Sequence, residues 1–294
     1  MINKTFYSIF QQGSRTYFYS SLFFPTHVKK DVFQFYGFVR KADNFVDSIP
    51  QDKHGFQKFK DKYYQTRNGT PSEDIVIDSF VNLSTKKGFE NAWVDAFLSA
   101  MEQDLSRKTY DTIQETIHYM YGSAEVIGLM MAKIMALPKE SYVFSRYLGR
   151  AMQYINFIRD IAEDSKLGRI YLPSEEMKQN GLNTLQYEEA RSKPEAFTSF
   201  IRQQIERYYR WQEIAQKGYK FIPKRYLISV KTAADMYQWT AEQIYKNPFI
   251  IYEWKVKPLV TTILSTTLKN MIDPKKAQRY PWYNPQEKSL YDIA

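Results

Sequence analysis

The sequence predicts an all-α protein built as a single helical domain. Three observations lead there. Apolar residues recur at intervals of three and four and seldom alternate, which is the helical period. Glycine (11) and proline (12) are sparse among 294 residues. The prolines stand between the periodic segments, where the missing amide proton does least harm.

In chain order, helices are expected over 28–48, after Pro25, then over 52–66 and 73–84, after Pro50 and Pro71, and over 90–105. Two long helices follow over 110–136 and 139–166, parted by Pro138. The last three cover 194–217, 223–245 and 257–271, with Pro194, Pro223 and Pro258 near their starts. Residues 1–272 are read as one all-helical domain. Residues 273–294 carry three prolines and no period, and are read as an irregular C-terminal tail.

Composition excludes several chemistries. There is no cysteine, so there is no disulfide scaffold, no Cys-ligated metal and no thiol nucleophile. The three histidines, His27, His54 and His118, lie far apart and lack metal-ligand spacing. No Gly-x-Ser-x-Gly elbow is present. The N-terminus has no signal-peptide pattern. The longest apolar stretch, Val126 to Ala132, is far short of the ~20 residues of a membrane span. A cytoplasmic protein is therefore expected.

The net charge is +9, from 41 basic and 32 acidic residues. It reads either as simple solubility or as attraction to an anionic membrane surface, on the inner face of the membrane. No run of five like charges occurs, so no nucleic-acid partner is expected. Aromatic residues make up 17% of the chain. They suit a tyrosine-rich core, and equally a site for an apolar or cationic ligand.

Two predicted helices carry acids four residues apart. Asp43 and Asp47 lie about 40° apart around the first, with Tyr36 and Arg40 on the same stripe. On the second, Gln153, Asn156, Asp160 and Asp164 fall within an arc of about 80°. Such pairs usually form a solvated face balanced by lysine. Here the stripes hold amides and like charges, the pattern occurs twice, and an arginine (Arg40, Arg159) accompanies each. Hard oxygen donors on two helices suit Mg²⁺ shared with substrate phosphates. Arg15, Arg40, Arg159 and Arg169 can meet phosphate bidentately, and Ser14 and Thr16 can donate hydroxyl hydrogen bonds. Loss of diphosphate from an allylic carbon would leave a carbocation, which needs a dry cavity and aromatic faces. Tyr17, Tyr119, Tyr171 and Tyr237 are among the candidates. The small residues around Gly122 and Gly128 suit either a long apolar chain or close helix packing.

These segments together resemble the squalene/phytoene synthases. The similarity runs in order from about Phe6 to Leu268. It takes in Ser14-Arg15-Thr16-Tyr17, Arg40-x-x-Asp43-x-x-x-Asp47, and Met101-x-x-Asp104-Leu105 with Tyr110 following. It continues through Tyr119-x-Tyr121-Gly-Ser-Ala124-Glu125-Val-Ile-Gly128 and Gln153-x-x-Asn156-x-x-Arg159-Asp160-x-x-x-Asp164, then Gly168-Arg169-x-Tyr171-Leu172-Pro173.

The resemblance implies an isoprenoid-synthase-type helical bundle around a central cavity. It implies Mg²⁺, with Mn²⁺ as a substitute, on Asp43, Asp47, Asp160 and Asp164, with Asn156 extending the set. Arg40, Arg159, Arg169, Ser14 and Arg15 would contact phosphate oxygens, and Gln153 would reach toward metal and diphosphate. Tyr17, Tyr119, Tyr171 and Tyr237 would line the cavity near the cation. The reaction implied joins two geranylgeranyl diphosphates head to head through a cyclopropylcarbinyl diphosphate, giving phytoene and releasing diphosphate, with no NADPH. Two farnesyl diphosphates, giving dehydrosqualene or squalene, are the alternative. A helical binding protein that has lost the chemistry is the further one. Two departures stand out. Asn44 replaces a frequent Asp, but points about 100° away from Asp43. Glu125 replaces a frequent Gly, and beside a cavity it must be paired, hydrogen-bonded or neutral.

Overall fold

A computed structural model describes residues 2–274. The expected tail from 275 onward lies outside the described residues. Among those described, the chain is helical throughout, and the only β pairing is an isolated bridge between Thr109 and Ile170.

Most helices follow the punctuation. They are α1 (Lys4–Gly13), α2 (Arg15–Ser21), α3 (Thr26–Asp47), α4 (Lys53–Arg67), α5 (Ile75–Lys87) and α6 (Asn91–Gln103). Next come α7 (Ile113–Met120), α8 (Val126–Ile134), α9 (Tyr142–Arg159), α10 (Ile161–Asp164), α11 (Ser174–Gln179) and α12 (Tyr187–Ser192). The set closes with α13 (Pro194–Gln216), α14 (Lys224–Lys246), α15 (Ile250–Glu253) and α16 (Val260–Ile272). Local chemistry fixes several starts. Ser14, Asp74 and Thr112 each accept a backbone N–H in the first turn of the helix they cap, and Pro194 opens α13. Sequence reading misses α2, α11, α12 and α15, which are too short to show a period, and also α1, where Phe6 and Phe10 are buried one turn apart.

One expected helix is broken. Residues 139–166 do not run straight through the acidic motif. α9 stops at Arg159, Asp160 sits at φ −99°, ψ 12°, and α10 restarts behind it. The Asp160 carbonyl accepts from the amides of Glu163 and Asp164. Asp164 therefore hangs from a separate turn, and the single 80° stripe becomes a bent one.

α9 lies at the centre, packed against α13, α8 and α14. Between α7 and α8 a π-helical turn, Tyr121–Glu125, interrupts the ladder. Close packing accounts for the small residues here. A Cβ on Gly122 would come within 2.4 Å of the Ala96 carbonyl oxygen, and one on Gly128 within 2.1 Å of the Ser145 carbonyl oxygen. Gly128→Ala should destabilise the protein by about 1–3 kcal/mol, because backbone must move to admit the methyl. Chemical denaturation reads this directly, and an unchanged midpoint would show that α8 and α9 have room to spare.

Glu125 is fully buried and paired twice. It accepts from Arg146 Nε at 2.7 Å and from Arg150 Nε at 2.6 Å. It ties the π-helical turn to α9 and is not a cavity residue with an unmet charge.

Candidate active site

The first acidic wall is the end of α3. Asp43 accepts from Arg40 Nη1 at 2.9 Å, one turn back. Asp47 ends the helix and accepts from Arg169 Nη1 at 2.8 Å. Asn44 is exposed on another side, as its angle predicts.

The second wall is the bend between α9 and α10. Arg159 grips both oxygens of Asp160, one of them from Nε at 2.8 Å. Lys255, from the linker between α15 and α16, lies 3.4 Å from Asp160 and also pairs with Glu163. Lys257 stands close by, its ammonium pushed down by burial and by the cations Lys255 and Arg159. Sequence reading misses both lysines. They lie in an aperiodic stretch whose only signal is Lys-x-Lys.

A loop joins the walls. Gly168 takes a left-handed φ of 70°, which favours glycine, and turns the chain back toward α3. Ile170 N–H then bonds to the Lys108 carbonyl, and the amides of Ser174 and Glu175 bond to the carbonyls of Tyr110 and Asp111. This docking presses Arg169 inward until it is 2% exposed. Its Nη2 donates to the carbonyl of Val46 at 2.6 Å and to that of Asp104 at 3.2 Å.

Beneath the loop lies an aromatic cluster. Tyr171 stacks on Phe157 with centroids 4.3 Å apart, and on Tyr119 at 5.3 Å. Tyr110 lies 5.3 Å from Tyr119. Farther along α9, the rings of Tyr17 and Tyr237 are 5.5 Å apart, and the Tyr237 hydroxyl faces Tyr17 and Asn156. Gln153 accepts from the Asn156 amide at 3.3 Å.

The expected phosphate donors from α2 are less engaged. The Ser14 hydroxyl caps its own helix, accepting from Tyr17 N–H at 3.3 Å. Arg15 is exposed and Thr16 half-buried, and neither side chain makes a hydrogen bond or ion pair among the described residues. Tyr154 belongs to a different network, bonded to Gln204 and Arg207 on the α13 side.

The electrostatics are those of an acidic site with incomplete compensation. Burial, then the neighbouring Asp47, pushes Asp43 up to about 7, against the pull of Arg40. Burial, then Asp160 and Asp47, pushes Asp164 up to about 8. Among the described residues no cation lies within ion-pair reach of Asp164. Asp160 is the reverse case. Burial would raise it, but Arg159 and Lys255 outweigh burial and hold it below the usual carboxylate range.

The two walls thus feel one another, since Asp164 on one responds to Asp47 on the other. Yet no group of three His, Asp or Glu side chains among the described residues is placed to hold a metal ion alone. Arg40, Arg159 and Arg169 draw three of the carboxylates aside. The donor chemistry nevertheless fits a divalent cation. The ligands on offer are hard oxygens, the Asp164 carboxylate has no ion-pair partner among the described residues, and the buried Asn156 Oδ1 has no hydrogen-bond partner either.

The raised carboxylates make a stability prediction. An ordinary Asp titrates near 3.8, so between about pH 4 and 8 the folded state holds protons at Asp43 and Asp164 that the unfolded state has lost. Their contribution to stability therefore falls as pH rises through that window. In metal-free buffer Asp164→Asn should melt higher than the parent at pH 8, with a smaller gain at pH 5. Thermal unfolding with a chelator measures it, and an equal or reversed difference would mean that Asp164 is well solvated.

Comparison with known proteins agrees with this geometry. The family model for squalene/phytoene synthase matches residues 10–262. The chain belongs to the squalene/phytoene synthase family. The family joins isoprenyl diphosphates head to head and is therefore one of prenyltransferases. A 15-cis-phytoene synthase of Pantoea ananas is 24% identical over 239 residues, covering 77% of each chain. The chloroplastic phytoene synthase of Daucus carota is 27% identical over 245 residues, covering 80% of this chain and 59% of the carrot protein. A dehydrosqualene synthase crystal structure shares the fold, with a TM-score of 0.80 at 20% identity over 90% of this chain and 95% of its own. Like the dehydrosqualene synthase, the protein is one helical unit, and no described helix is long and apolar enough to cross a membrane.

Proposed function

We propose that this protein condenses two geranylgeranyl diphosphates to phytoene through a cyclopropylcarbinyl diphosphate. The observation that supports this best is the pairing of two acidic walls, each with its own arginine, across a loop that seals an aromatic cluster. The assignment of the C20 substrate leans on the phytoene synthases among the relatives.

Asp43, Asp47, Asp160 and Asp164, with Asn156, would hold Mg²⁺ or Mn²⁺ together with the substrate's diphosphate. When bound, the cation neutralises the diphosphate and makes it a better leaving group. The protein's own groups do the rest. Arg40, Arg159 and Arg169 are already at the carboxylates and can turn their N–H groups to phosphate oxygens as fork donors. Ser14, Arg15 and Thr16, at the start of α2, would contact phosphate oxygens of the substrates. Departure of diphosphate leaves an allylic cation at C1. Tyr119, Tyr171 and Phe157 present π density, worth roughly 0.5–2 kcal/mol per face. Tyr17 and Tyr237 close the other end. The loop 168–173, with Arg169, Tyr171, Leu172 and Pro173 buried, would keep water out, so that the cation meets the double bond of the second substrate. A second ionisation, rearrangement and proton loss complete a linear triene.

The test supplies purified protein and Mg²⁺ with geranylgeranyl or farnesyl diphosphate, with and without NADPH, and identifies the hydrocarbon by mass. Phytoene from the C20 substrate is expected. Dehydrosqualene or squalene as the main product would replace the C20 assignment, and no hydrocarbon from either substrate would remove the catalytic reading.

A further inference from the structure

Asp104 takes no part in the scheme above, yet it is buried and held through both its carboxylate and its backbone carbonyl. It caps α6 and is 3% exposed. Its two carboxylate oxygens accept separately, Oδ2 from the Tyr119 hydroxyl at 2.7 Å and Oδ1 from the Tyr171 hydroxyl at 2.9 Å. Its backbone carbonyl accepts from Gln51 Nε2 at 2.9 Å and from Arg169 Nη2 at 3.2 Å. The same two side chains also hold the Val46 carbonyl, next to Asp47. No lysine or arginine forms an ion pair with the Asp104 carboxylate among the described residues. Its side chain is given over to the two phenols.

We infer that Asp104 is a positioning residue for the aromatic cluster: it holds both phenolic protons, so that Tyr119 and Tyr171 offer ring faces, and not hydroxyl oxygens, to the reacting carbon. The inference rests on the prenyl-coupling reading. Two physical effects follow. A phenol that donates to a carboxylate keeps its proton, and the polarised O–H bond makes its ring face more negative and a better partner for a cation. A phenol fixed at its oxygen also cannot swing that oxygen toward the reacting carbon to trap the cation or to carry water to it. Asn at position 104 keeps the shape but supplies one acceptor and one NH2 donor, so one phenol can no longer donate its proton there and its hydroxyl hydrogen is released.

The experiment is a cycle of three variants: Asp104→Asn, the double variant Tyr119→Phe/Tyr171→Phe, and their combination. For Asp104→Asn, kcat should fall about 10–100-fold while KM moves less than about threefold, because diphosphate binding is not touched. The share of prenyl alcohol, formed when water adds to the cation and loses a proton, should rise. In the double-Phe background Asp104→Asn should cost less than about a further twofold, since the phenols through which it acts are gone. Independent, multiplying losses, or a loss confined to KM, would overturn the inference. Thermal unfolding of the same metal-free variants supplies a readout free of substrate. The melting shifts of Asp104→Asn and of the double Phe should be strongly non-additive, and additive shifts would overturn the positioning role. If the parent makes no prenyl product, the melting cycle still decides the geometry, so the two failures are distinguishable.

Discussion

Asp43→Asn and Asp160→Asn should each lower turnover of prenyl diphosphate about a thousandfold or more, with the helical circular dichroism spectrum unchanged. Asn keeps the size of the side chain and one oxygen, so packing is preserved. What it removes is the charge. A thousandfold corresponds to about 4 kcal/mol at the transition state, which is what charge stabilisation at a departing diphosphate commonly supplies. The two sites should fail for different local reasons. Asp43 faces Arg40 at 2.9 Å and is crowded by Asp47. Asp160 is gripped by Arg159 and approached by Lys255. Losing either carboxylate also leaves a cationic neighbour without its partner. Steady-state kinetics at saturating Mg²⁺ checks this, and a variant retaining more than about a tenth of parental kcat would remove that residue from the machinery.

Arg169→Leu should be the most damaging single change to the fold around the site. Arg169 donates to the Asp47 carboxylate, the Val46 and Asp104 carbonyls and the Tyr171 hydroxyl, and it is buried. Leucine fills much of the space but leaves a carboxylate without its partner and weakens the hold on two carbonyls, although Gln51 still donates to both. A loss of about 3–5 kcal/mol is expected. For a chain of this size that lowers the melting temperature by roughly 10 °C. Arg169→Lys should recover part of the stability and little of the activity, because one ammonium cannot span the positions that the guanidinium fork reaches. A leucine variant that melts within about 2 °C of the parent would contradict the picture of Arg169 as the tie between α3, α6 and the loop.

The helical architecture was legible because prolines and a 3.6-residue period act locally, and α3, α4, α13 and α14 begin within about two residues of where the spacing places them. The bend at Asp160 was not. Nothing in Asn156-Phe-Ile-Arg-Asp160 breaks a helix by propensity, and the backbone leaves the ladder only in the folded chain. The site was legible to the extent that its members repeat: acids at i,i+4 with an arginine beside them. Lys255, Lys257 and Gln51 carry no such repeat and reach the site only through tertiary packing. Asp104 stood in a quoted motif, but its two phenolic partners lie 15 and 67 residues away. Composition could not show that Glu125 would be neutralised by two arginines one and two turns into α9. The open question of Gly122 and Gly128 was likewise settled by backbone proximity, which sequence spacing does not contain.

The most direct test of the central claim is Mn²⁺ binding to the full chain, read by electron paramagnetic resonance of the free ion, with and without inorganic diphosphate. Asp43 and Asp160 belong to different walls. If both walls serve one diphosphate-bound cation, diphosphate should tighten Mn²⁺ binding at least about tenfold in the parent, and Asp43→Asn and Asp160→Asn should each abolish that gain. Mn²⁺ binding that ignores diphosphate, or that survives unchanged in both variants, would contradict it.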